Sequence, residues 1–70
     1  MELKIYKLNV KSKLYELNLD LRASSLSEAS KLAKVKFSKR YQVFGDDIKV
    51  SLRLDDLKNH IDEILEVLHN

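Results

Sequence analysis

Residues 24–44 read SSLSEASKLAKVKFSKRYQVF. Ser25-Leu26-Ser27-Glu28 has the spacing of a capping box. The Ser25 hydroxyl accepts from the Glu28 N–H, and the Glu28 carboxylate reaches back to the N–H of Ser25. At about 100° per residue, Leu26, Ala29, Ala33, Phe37, Tyr41 and Phe44 fall on one side. That periodicity predicts an amphipathic helix over residues 24–44, with Gly45, the sole glycine of the chain, as its left-handed stop. Lys31, Lys34, Lys36, Lys39 and Arg40 stand against a single acid, Glu28, making this the most basic segment.

Strand-like sequence lies on both sides of the helix. Residues 14–23, LYELNLDLRA, alternate cleanly. Tyr15, Leu17, Leu19, Leu21 and Ala23 point one way, and Glu16, Asn18, Asp20 and Arg22 the other, as in a strand with one wet face. Residues 48–54, IKVSLRL, alternate again, with Ile48, Val50, Leu52 and Leu54 expected inward. Residues 2–10, ELKIYKLNV, are rich in strand formers but mixed in parity: Leu3 and Ile5 against Tyr6, Leu8 and Val10. Either a bulge between Ile5 and Tyr6 or partial cover of both faces accounts for that mixture. Lys11-Ser12-Lys13 serves as a hairpin connection, and Gly45-Asp46-Asp47 as the turn out of the helix. Residues 55–70, DDLKNHIDEILEVLHN, predict a second helix capped by Asp55 or Asp56. Its stripe of Leu57, Ile61, Ile64 and Leu68, widened by Leu65 and Val67, is expected to face the core.

The order β-β-α-β-α predicts an α+β fold: a three-stranded antiparallel sheet with two helices on one face, since each strand has one convincing apolar face. The crossover through the first helix brings the third strand up parallel to the second. Docked beside the first strand instead, it makes every neighbour antiparallel. The resulting order 2-1-3, favoured over 1-2-3, also puts the mixed-parity strand in the centre, where both faces find cover.

Seventy residues allow one domain, residues 1–70, with a thin core that association would help to stabilise. Hydrophobic residues at 44% and charged residues at 34% are globular rather than disordered proportions. Without cysteine there is no disulfide framework and no thiolate chemistry, which suits a reducing compartment. No apolar run has the length of a signal peptide or membrane span, so a cytoplasmic protein without a membrane partner is expected. The net charge of +2 hides a division: residues 24–45 carry +4 and residues 55–70 carry −4.

Catalysis has little to work with. Asp56 and His60 are spaced i, i+4 and are expected as an ion pair at the surface or boundary of the last helix. No nucleophile elbow supplies a serine to them. His60, His69, Glu66 and Asp62 lack metal-ligand spacing, and one glycine makes no phosphate loop. No catalytic residue, cofactor, metal or small-molecule substrate is therefore expected. Protein–protein contact or self-association comes first, through Leu32 and Val35 on the outer side of the first helix, flanked by Lys36 and Lys39. Nonspecific nucleic-acid binding through Lys31, Lys34, Lys36, Lys39 and Arg40 is the alternative, opposed by the acidic last helix. The phrase LDLRASSLSEASKLAKVKF resembles the strand and capped helix of many small phage and mobile-element proteins. That likeness implies a small adaptor or inhibitor acting by binding.

Overall fold

The computed structural model describes residues 2–45 and 47–69, and side chains as far as Glu66. Asp46 of the expected turn, and the side chains of Val67, Leu68 and His69, lie outside the described residues. The strands are β1 (Lys4–Lys11), β2 (Glu16–Ala23) and β3 (Lys49–Leu52), with α1 (Leu26–Tyr41) between β2 and β3. The sheet runs in the order β2-β1-β3 and is antiparallel throughout.

β1 carries no bulge. Its register with β2 is continuous from Lys4↔Ala23 to Lys11↔Glu16. The even positions Tyr6, Leu8 and Val10 are fully buried, while Leu3 and Ile5 are left exposed. The mixed parity therefore reflects uncovered apolar residues on the outer face rather than a kink. On the inner face these residues meet Leu21 and Ala23 from β2, Ile48 just before β3, and Ala29, Ala33 and Phe37 from α1. Alanine at two of the three buried helix positions lets α1 approach β2 and β1 closely, and Phe37 fills the volume that remains.

The start of α1 follows the capping signal only in part. Ser25 accepts from the Glu28 N–H at 3.2 Å. The Glu28 carboxylate, however, takes the hydroxyl of Ser24, not the N–H of Ser25. The helix also stops earlier than residues 24–44 would have it. Gln42 adopts the left-handed conformation (φ 56°), and its N–H bonds the Ser38 carbonyl. Gly45 has positive φ as well, but three residues beyond the cap. Phe44 thus lies outside the helix and is 74% exposed instead of joining the apolar side.

The C-terminal segment departs furthest from expectation. It is not one helix but a short α2 (Leu54–Leu57), a 3₁₀ turn (Lys58–His60) and α3 (Ile61–His69). Leu54 begins α2 and is 86% exposed, where the alternation of 48–54 placed it in the strand facing inward. Ile61 and Leu65 are also exposed, and Leu57 is just over a third exposed. Among the described side chains of the segment, the buried ones are polar: Asp56 and His60. At Leu57, Ile61 and Leu65 the expected inner side thus faces out, whereas Ile64 of the same stripe is half-buried.

Candidate functional site

This orientation has a structural cause at the edge of β1. β3 is short, and after Leu52 its chain turns away; the last backbone link is Arg53 N–H to the Lys7 carbonyl at 3.0 Å. The Lys7 N–H and the Ile5 carbonyl, both partly buried, would then be left without backbone partners. Asp56 Oδ2 accepts from Lys7 N–H at 3.0 Å, and His60 Nε2 lies 3.1 Å from the Ile5 carbonyl oxygen. Two side chains thus continue the ladder that the third strand abandons. Nε2 also lies 3.0 Å from Asp56 Oδ2. Both neighbours are acceptors, so Nε2 carries a proton and donates to them.

Around this edge most polar groups find partners, although His60 Nδ1 and Arg53 Nε are buried without one. Asn59 donates to the other Asp56 oxygen at 2.9 Å. The His60 ring stacks on buried Tyr6, with centroids 4.3 Å apart. The Tyr6 hydroxyl donates to Glu63 Oε1 at 2.7 Å, and Glu63 Oε2 accepts the N–H of Leu26. That N–H is one of the unpaired donors in the first turn of α1, where a carboxylate is also favoured by the helix dipole. Glu63 therefore ties β1, α1 and α3 together. Burial works against ionised Asp56, but hydrogen bonds from Asn59 and Lys7 and the proximity of His60 outweigh it and hold the carboxyl below its ordinary range. Glu63 is lowered in the same way: burial opposes the charge, and the bonds from Leu26 and Tyr6, with Lys4 and His60 nearby, prevail. Burial, then the Glu63 carboxylate, push the Tyr6 phenol well up.

Asp56 and His60 are thus the expected i, i+4 pair, but buried and bound to the sheet backbone rather than sitting at the surface. The sequence reading missed Tyr6 and Glu63 as their partners. A signal was present: Asp56, Asn59, His60 and Glu63 follow helical spacing i, i+3, i+4, i+7 and form a polar stripe as regular as the apolar one.

The proposed contact residues stand apart from this cluster. On α1, Leu32 and Val35 are 39% and 50% exposed, and Lys36 and Lys39 beside them are exposed too. Lys31, Lys34 and Arg40 also lie on the surface, with the Arg40 guanidinium 5.6 Å from the Tyr41 ring centre. Among the described residues, none of these five cations has an acid within 4.0 Å; the close pairs present are the Arg53–Asp20 salt bridge and the His60–Asp56 contact. A cavity of about 280 Å³ at the hairpin end of the sheet is lined by Lys11, Ser12, Lys13, Asp47 and Lys49. Among the described residues no cluster of three potential metal ligands occurs, and no helix is long and apolar enough to cross a membrane. Compared with protein-family models, with curated proteins and with solved structures, the chain matches none.

Proposed function

We propose that this is a non-enzymatic binding protein, of adaptor or inhibitor type, that acts by contact with another protein chain. The observation that carries the reading is the orientation of the C-terminal segment. Its polar stripe is committed to the sheet edge, which leaves Leu54, Leu57, Ile61 and Leu65 outward at helical spacing. An apolar stripe on a helix is the usual way one protein reads another, through anchors at i, i+3, i+4 and i+7. Leu32 and Val35, with Lys36 and Lys39, add a second exposed apolar site on α1. The Asp56–His60–Tyr6–Glu63 cluster supports a non-catalytic reading, because both carboxylates, the Tyr6 hydroxyl and His60 Nε2 already serve backbone and one another.

Affinity capture with wild type, Leu32→Asp/Val35→Asp and Ile61→Lys/Leu65→Lys tests this. Both variants should keep the wild-type circular dichroism spectrum, and at least one should lose the captured protein. A protein retained equally by both would contradict the reading.

A second reading rests on the α1 cations, which have no acid partner among the described residues. Lys31, Lys34, Lys36, Lys39 and Arg40 then meet phosphates. Such binding is weak, independent of sequence and steeply salt-dependent, and Lys31→Glu with Lys34→Glu weakens it on every sequence. A gel shift that persists at high salt would rule it out.

A further inference from the structure

The two sides of β1 are treated differently, and of the two edge strands β3 spans four residues and β2 eight. On the β3 side, β1 is closed by Arg53, Asp56 and His60. On the other side, β2 is an eight-residue edge strand without proline, glycine or bulge. Among the described residues no strand pairs with that edge and no side chain bonds its backbone. Long regular edges of this kind are templates for another strand, and proteins ordinarily blunt them.

Which groups β2 offers follows from the register. Ile5 and Lys7 aim their bonding groups toward the β3 side, as their bonds to His60, Asp56 and Arg53 show. Backbone groups alternate sides along a strand, so Tyr6, Leu8 and Val10 aim at β2. Their partners Leu21, Leu19 and Leu17 aim back. Glu16, Asn18, Asp20 and Arg22 therefore present their N–H and C=O groups to the open edge.

We propose that a second copy of this chain occupies that edge, with β2 pairing antiparallel to β2 of the partner about a two-fold axis at Leu19. Charge and overlap together select this register: an axis at Leu21 also sets Asp20 against Arg22 of the partner subunit, but pairs only five residues of β2 where the Leu19 axis pairs seven. With Leu19 facing its counterpart, Glu16 faces Arg22 of the partner subunit at both ends, and Asn18 faces Asp20 of the partner subunit. Moving the axis to Asn18 sets Glu16 against Asp20 of the partner subunit; moving it to Asp20 sets two aspartates face to face. Like charges directly opposite destabilise a pair, and opposite charges stabilise it. The side chains have capacity to spare, although Arg53 of the same chain already holds one Asp20 oxygen. Asn9 occupies one Glu16 oxygen and the Asn18 carbonyl oxygen, which leaves the other Glu16 oxygen and the Asn18 amide hydrogens free. Among the described residues Arg22 has no acid within 4.0 Å.

The inner face agrees. Leu17 and Leu19 are only half buried in a single copy. In the paired sheet, Leu19 meets its own counterpart and Leu17 meets Leu21 of the partner subunit. Since α1 lies over β2 and β1, strands about 4.8 Å apart put the two α1 axes about 10 Å apart. That is an ordinary helix-packing distance, so the axis that joins the strands also sets the two α1 helices side by side.

This inference rests on the reading that the protein acts by association, but it uses a surface of its own. The test is light scattering on a sizing column, across concentration, for wild type, Glu16→Arg, Arg22→Glu and the double reversal. Wild type should be a dimer. Each single reversal should weaken it by about tenfold, since it sets like charges together twice per dimer, and the double reversal should restore it. A dimer indifferent to the single reversals overturns this interface and leaves association elsewhere intact. A monomer at every concentration overturns it too, leaving a foreign partner as the reading for the apolar stripe. A second measurement is independent of charge and of any loss of folding by the reversals. Leu19→Cys puts the chain's only thiols face to face at a separation that a disulfide spans. Mild oxidation should cross-link it far faster than Leu54→Cys, which is exposed and off the axis. Equal rates would contradict the pairing.

Discussion

At the scale of single residues, the fold depends on two carboxylates more than its modest core would suggest. Asp56 and Glu63 both hold their protons more weakly in the folded state than an ordinary carboxyl does. Protonating either one favours the unfolded chain. Their contribution is complete above the unfolded values near pH 4 and is lost as the pH falls through the lower folded values. The melting temperature should therefore drop steeply on acidification below about pH 4, and Asp56→Asn with Glu63→Gln should flatten that slope. An unchanged slope would mean these carboxylates are not the acid-sensitive groups. Another residue-scale cost lies at Gln42. A non-glycine residue in the left-handed region costs roughly 1–2 kcal/mol, and glycine relieves it. Gln42→Gly should raise stability by about 1 kcal/mol, less whatever is lost with the Gln42 side-chain bond to the Lys39 carbonyl. Chemical denaturation of the two proteins measures it.

At the scale of elements, the legible parts of the sequence were those where one pattern acted alone. β2 alternates without exception, and its neighbour order followed from parity and the crossover. The Ser25 cap was visible because the hydroxyl acts on its own helix. α1 was overrun because Phe44 happens to continue the helical period, while the stop depends on the φ of Gln42, which no composition rule singles out. The C-terminal segment was read inside out at Leu57, Ile61 and Leu65 for a different reason. Apolar periodicity locates a helix face, but it does not say whether the protein has a surface to bury it on. Here β3 ends early, orphaned groups on β1 need partners, and a polar stripe answers that need better than leucine does. The two kinds of apolar side chain should respond differently to mutation. Phe37, fully buried, should cost about 3–5 kcal/mol on change to alanine. Ile61→Lys with Leu65→Lys should shift stability by no more than about 0.5 kcal/mol per site. Comparable losses from both would put α3's apolar stripe in the core.

At the scale of the whole molecule, side chains close the part of β1 that the short β3 does not reach, while the eight-residue β2 is left open along its length. The exposed residues on α1 were legible from the helical period, as residues with no sheet to cover them. The open edge of β2 was not, because it follows from the strand order and from which parity of β1 bonds toward β3. Amide hydrogen exchange, followed residue by residue at rising protein concentration, tests both edges in one measurement. The Lys7 N–H should be protected at every concentration, since Asp56 of its own chain holds it. The N–H groups of Asn18 and Asp20 should exchange freely in dilute solution and become protected as the concentration rises and a second β2 pairs with them. Rapid exchange at Lys7 would contradict the closed edge, and rapid exchange at Asn18 and Asp20 at every concentration would contradict the paired one.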